Sequence, residues 1–156
     1  MLAELMTSVE MVRSIIVAAH AEAKETHGIW GPNAAPYAAL RLRYPDMYQR
    51  MCEIIRILGA GGLVAVPSYA EFESAETKDF VEQYFQSANG DSKSRTKLMR
   101  LAYDASISSF AGRQQLYERY YSGDPVRSAA IMYNGADKNP SYDRIWSFLD
   151  EYEKSL

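Results

Sequence analysis

The stretch SRTKLMRLAYDASISSFAGRQQLYERYY, residues 94–121, contains no proline and no glycine except Gly112. Alternating steps of four and three carry Leu98, Ala102, Ala105, Ser109, Gly112 and Leu116 along one seam, the spacing of a packed helix face. One long helix is expected from Ser94 to about Tyr121. Its small residues, Ala102, Ala105, Ser109 and Gly112, lower the face enough for another backbone, or a planar ligand, to approach closely. Tight helix packing is the first reading of that feature.

Working outward, Ser122-Gly123-Asp124-Pro125 combines a C-cap glycine with an Asp-Pro helix start. The helix it opens should run through Met132 and Tyr133 and close at Asn134-Gly135. A last helix, about Ser141 to Glu153, carries Ile145, Trp146, Phe148, Leu149 and Tyr152. Upstream, Asn89-Gly90-Asp91-Ser92 offers Asp91 or Ser92 as N-cap of the long helix. A short helix is expected over Lys78–Gln86. Gly59-Ala60-Gly61-Gly62 should stop a helix through lost propensity and left-handed cap geometry, and Leu63-Val64-Ala65-Val66-Pro67 reads as an apolar, extended run. Pro36 suits the start of a short helix through Leu42, and Pro45 the first residue of a longer one with Met47, Met51, Ile54 and Leu58 inward. Thr26–Asn33, with two glycines and a proline, reads as a loop. The first helix spans about Leu2 to Lys24, with Leu2, Leu5, Val9, Val12, Ile16 and Ala19 on one stripe. Four longer helices with shorter ones, and no set of alternating strands, give an all-α bundle in a single domain, residues 1–156.

Composition narrows the function classes. The chain has 156 residues, 47% apolar and 24% charged, which suits one domain removing about 70% of its unfolded surface from water. A net charge of -3 gives no basic excess for nucleic acid. Cys52 alone makes no disulfide and no cysteine-based metal site, so a reducing cytoplasm is the expected setting. The first ten residues lack the charge order of a leader, and every apolar run is interrupted before it reaches membrane-spanning length.

Several residues invite a chemical reading. His20 and His27 lack a nucleophile or acid at diagnostic spacing, Cys52 reads as a small core residue, and Glu22 with Glu25 lacks the Glu-x-x-His spacing of di-iron bundles. No catalytic residue and no metal ligand is assigned. The glycine loop at 59–62 lacks the Lys-Ser/Thr of a P-loop. Lys93, Arg95, Lys97 and Arg100 form a basic run on the exposed side of the long helix, able to meet an anion. Ser122-Gly123-Asp124-Pro125-Val126-Arg127 places a helix N-terminus beside an arginine, a physical arrangement for holding phosphate, although Asp124 would compete for the same N–H groups.

The run from Arg100 to Arg127 resembles the closing signature of the 4-hydroxyphenylacetate 3-monooxygenase family. Gly31-Pro32-Asn33, the Tyr48–Gly62 helix ending in glycines, and Val66-Pro67-Ser68 are similar to the same family in the same order. The resemblance implies the C-terminal domain of a flavin-dependent aromatic hydroxylase, a four-helix up-and-down bundle in the manner of the acyl-CoA dehydrogenases, without the N-terminal helical and central β domains. It implies a parent reaction in which reduced FAD, supplied by a separate flavin reductase, and oxygen hydroxylate a phenol. It also implies a flavin contact at Ser122, Gly123, Asp124 and Pro125, a second at Arg113 and Gln114, and a homo-oligomer, dimer or tetramer. Family members often carry a second small residue where Ala111 stands. The family's iron-sulfur dehydratases need cysteines this chain lacks. Alone, the chain is expected to be inactive; the alternative is a stand-alone helical interaction module.

Overall fold

The computed structural model describes residues 1–155. Among them are eight α-helices and one two-stranded ribbon, so the all-α reading holds. Helix α1 (Leu2–Ala21) stops short of Lys24 because Lys24–Thr26 (β1) turns back to pair antiparallel with Ile29–Gly31 (β2). The expected loop is therefore largely a hairpin. His27 and Gly28 both take positive φ, 53° and 79°, the conformation of a two-residue turn whose twist matches paired strands. Asn33 ties off its base: the side-chain oxygen accepts from Ala35 N–H at 3.0 Å, and the amide donates to Glu22 at 2.5 Å.

Helix α2 (Ala34–Gly59) is one helix where the sequence predicted two. Pro45 lies in its interior instead of opening a new helix. A mid-helix proline forfeits the bond to the carbonyl four residues back and costs about 3 kcal/mol. Here the ring is buried, and that packing offsets the lost bond.

Five long-range ties fix how the helices run. Arg50 meets Glu4 at 2.6 Å while His20 meets Tyr37 at 3.1 Å, so the start of α1 lies by the second half of α2, and the end of α1 by its first half. The two helices are antiparallel. Cys52 Sγ donates to the Ala105 carbonyl at 3.6 Å, Arg119 reaches Asp46 at 3.4 Å, and the Arg41 guanidinium donates to the Ser122 carbonyl. Residue numbers fall along α2 as they rise on the other side. The chain from 105 to 122 thus runs back along α2, giving the up-and-down bundle.

Helix α2 ends where a Cβ at Gly59 would sit 2.5 Å from the Leu63 side chain. The chain tightens into a 3-10 turn, Ala60–Leu63, and Leu63 is buried there instead of lying in an extended run. Positive φ falls on Ala60, at 44°, not on one of the three glycines around it. A short helix not anticipated from sequence, α3 (Tyr69–Glu73), follows, begun by Ser68, whose N–H donates to the Glu71 carboxylate. Helix α4 (Lys78–Tyr84) occupies the expected place.

The long helix is two: α5 (Ser92–Ser106) and α6 (Ser109–Tyr120). Serines cause the break. Ser106 Oγ donates to the Ala102 carbonyl at 2.6 Å and Ser108 Oγ to that of Asp104 at 2.9 Å, while Ser108 Oγ also accepts from Ala111 N–H at 3.0 Å and caps α6. The break dissolves the expected seam: Leu98 and Leu116 are each 62% exposed, and the space around Gly112 is open. Burial falls instead on Thr96, Ser106 and Ala111. Helices α7 (Pro125–Gly135) and α8 (Asn139–Glu153) complete the fold.

Helix α2 carries much of the core, with Cys52 and Ile54 buried on it; Ala19, Leu63, Phe72 and Ala111 are the other buried apolar residues among those described. That core is thin. The accessible surface is 11796 Å², whereas a folded monomer of 17.6 kDa exposes about 7,900 Å². Every residue of α8 is exposed, its Ile145, Trp146, Phe148 and Tyr152 included.

Two glycine substitutions should move stability in opposite directions in urea unfolding. Gly59→Ala forces a methyl into Leu63 and should cost about 1–3 kcal/mol. Gly112→Ala, in an open helical position, should stabilise by about 0.5–1 kcal/mol.

Candidate functional site

The Ser122–Pro125 segment is a tight link between α6 and α7. Gly123 has φ of 111°, which a side chain would strain, and its N–H donates to the Tyr120 carbonyl at 3.0 Å. Asp124 accepts from Val126 N–H at 2.6 Å, with Pro125 at the first turn of α7. The helix N-terminus that looked able to hold phosphate is thus already capped by the protein's own carboxylate. Arg127, at its side, is exposed.

Beneath the link lies a small cleft of about 80 Å³, with Arg41, Pro45, Asp46, Arg119, Gly123 and Ser128 among its lining. Arg41 and Arg119 are engaged there with the Ser122 carbonyl and Asp46. Arg41 and Pro45 also line a larger neighbouring cleft of about 270 Å³, whose walls include Tyr37, Tyr44, Glu118 and Tyr121. Burial, then the nearby Glu118 charge, pushes the Tyr44 hydroxyl above its ordinary value, so it stays a neutral donor. Tyr117 and Tyr121 stack with ring centroids 5.2 Å apart.

Gln114 reaches this larger cleft indirectly, donating to Glu118 at 2.7 Å. Arg113 is exposed, and seven residues of helix place it about 10 Å along α6 from Tyr120. Neither side chain shares a hydrogen bond with Ser122–Pro125. The aromatic cleft is what sequence reasoning missed. Its signal was present as two helical stripes, Tyr37, Arg41 and Tyr44 on one helix and Gln114, Glu118 and Tyr121 on the other, but nothing in the sequence says that they face each other.

The remaining chemical candidates have structural roles. His20 pairs edge-on with Tyr37, His27 shapes the hairpin turn, and Glu22 holds Asn33. Glu25 sits opposite Trp30 in the ribbon. Burial raises the Cys52 thiol above its usual range. No group of three metal-binding side chains occurs among the described residues.

The model of the 4-hydroxyphenylacetate 3-hydroxylase C-terminal domain (HpaB) matches residues 1–150. The chain belongs to this family. The HpaB-type domain is 41% identical over 150 residues to the 4-hydroxyphenylacetate 3-monooxygenase oxygenase component of Geobacillus sp. (strain PA-9), covering 94% of this chain and 30% of that protein. It is 38% identical over 151 residues to the Thermus thermophilus oxygenase component, covering 96% and 31%. A crystal structure of the oxygenase component of 4-hydroxyphenylacetate 3-monooxygenase complexed with FAD superposes with a TM-score of 0.92 at 38% identity, over 98% of this chain and 32% of that one. The chain therefore spans about a third of the length of these relatives. No helix among the described residues is long and apolar enough to cross a membrane.

Asp124→Ala should cost about 1 kcal/mol through loss of the α7 cap, whereas Arg113→Ala should change stability by less than about 0.5 kcal/mol. Chemical denaturation of the two variants separates the structural residue from the exposed one. Cys52 should react with a thiol reagent at the rate of local opening, and quickly only in denaturant.

Proposed function

We propose that this chain is the C-terminal domain, residues 1–156, of the oxygenase component of an FADH2-dependent aromatic monooxygenase of the 4-hydroxyphenylacetate type. In this reading it supplies one wall of a flavin site and a surface through which copies assemble into a dimer or tetramer. It is inactive alone, because the N-terminal and β domains and a separate flavin reductase belong to the complete system. The buried free thiol of Cys52 suits a reducing, cytoplasmic setting.

The observation that carries the reading is the open surface: 11796 Å² where about 7,900 Å² is ordinary for the mass. The excess is partly apolar and continuous along helices, with Leu98, Leu101 and Leu116 exposed on α5 and α6 and Trp146 and Phe148 on α8. Faces of that kind are ordinarily covered by protein.

The clefts beside Ser122–Pro125 fit part of a flavin. Tyr37, Tyr44 and Tyr121 offer aromatic surface, Arg41 a cation and Gly123 a backbone that can be approached closely. At about 270 Å³ the larger cleft is below the usual range for an enclosed ligand, as expected of one wall of a divided site. Bound reduced FAD would supply the oxygen chemistry of phenol hydroxylation. The residues named here would hold and orient it: Ser122, Gly123, Asp124 and Pro125 at the link, with Arg113 and Gln114 along α6. Their part in the reaction is to position the ring system and keep water from it. The self-capped N-terminus of α7 favours a second reading, an interaction module that assembles without binding flavin.

Anaerobic titration of the purified chain with FAD and reduced FAD, with light scattering in parallel, tests both. Saturable binding by a dimer or tetramer, weakened about tenfold by Arg113→Ala and more by Gly123→Trp, is expected. An oligomer with no binding at high micromolar flavin would instead select the interaction module.

A further inference from the structure

The basic run on α5 divides in two. Arg95 lies 4.6 Å from the Phe85 ring centroid and donates to the Gln86 carbonyl at 3.0 Å, which ties α5 to the end of α4. Lys93, Lys97 and Arg100 face the other way, into a groove of about 330 Å³ shared with Tyr69 and Phe72 of α3 and with Thr96. Its volume lies within the range of small-molecule sites.

Three observations together give the groove its character. First, none of the three cations pairs with a carboxylate among the described residues. Of the nearby acids, Glu71 accepts the Ser68 N–H and Asp91 accepts the Ser94 N–H at 2.6 Å; these bonds first, then the charges of Arg100 and Lys97 respectively, hold the two carboxyls below their ordinary values. Second, Thr96 is only 6% exposed, and its Oγ1 has no hydrogen-bond partner among the described residues. A buried hydroxyl without a partner is costly, and rotation of the Thr96 side chain toward the groove would let a ligand oxygen relieve it. Third, the walls are aromatic: Phe72 is buried with Lys93 Nζ 5.9 Å from its ring centroid, and Tyr69 is 77% exposed and free to stack. Arg100 spends one nitrogen on the Pro67 carbonyl at 2.7 Å, and its other N–H groups remain for an anion.

We infer that this groove is a second binding site, distinct from the Ser122–Pro125 clefts, for a phosphorylated aromatic ligand of the nucleoside diphosphate type. Two lysine point charges and an arginine match a diphosphate better than a single carboxylate. The aromatic wall takes the base, and Thr96, its side chain rotated toward the groove, supplies a hydrogen bond at the floor of the charge cluster.

Calorimetric titration of the full chain with ADP and with inorganic pyrophosphate, at low and at moderate salt, tests the inference. Saturable ADP binding that weakens with salt is expected, with pyrophosphate binding more weakly for want of the ring. The Lys93→Ala/Lys97→Ala double variant should weaken ADP at least tenfold. Thr96→Val should weaken it severalfold without lowering Tm, because the change removes an unpartnered hydroxyl at nearly constant shape. Gly123→Trp should leave ADP binding unchanged, which separates this site from the proposed flavin wall. A FAD arm distinguishes sources: competition with ADP assigns the groove to the nucleotide half of a dinucleotide, and its absence assigns it to a free nucleotide. Failure of ADP to bind at millimolar concentration, equal affinity in the double lysine variant, or tighter binding of an acidic peptide than of ADP would overturn the inference.

Discussion

Helix α2 is the member on which the others depend. Helices α1, α5, α6 and α7 all pack on it, and the ties from Glu4, Ala105, Arg119 and Ser122 return to Arg50, Cys52, Asp46 and Arg41 on this one helix. The surface ion pairs contribute little energy, since solvent screens them. Their value lies in register. Continuity through Pro45 is what lets a single rod set the antiparallel order; a chain broken at Pro45, as its sequence suggests, would leave two short helices with independent directions.

Local signals in the sequence were legible where one residue's chemistry decides the backbone. Asp91, Asp124-Pro125 and the 59–62 glycines mark the boundaries they were expected to mark. Signals failed where tertiary packing overrides propensity or where side chains compete with the helix. Buried Pro45 is the first kind. Ser106 and Ser108 are the second: each hydroxyl bonds backward to a carbonyl, and two such bonds in three residues break a helix that apolar periodicity alone would continue. The ribbon went unread because a positive φ at His27 is unusual for a side-chain-bearing residue.

The candidate sites divide in the same way. The Ser122–Pro125 link was legible because glycine, aspartate and proline each have one dominant use in a turn. The aromatic cleft beside it was not, because Tyr37 and Tyr121 are brought together by the return of the chain along α2. The charge run at 93–100 was visible, but its division between Arg95 and the other three cations follows from where α3 and α4 lie, and the placement of α3 depends on a five-residue helix with few sequence features beyond Ser68 and Glu71.

The broad solvent exposure of this domain has a thermodynamic corollary. Denaturant sensitivity and the heat-capacity change of unfolding both scale with the surface newly exposed when a chain unfolds. A domain that leaves much of α5, α6 and α8 in water has less to expose. Its unfolding transition should accordingly be shallower and less cooperative than its length suggests, sharpening when other protein surface covers those helices.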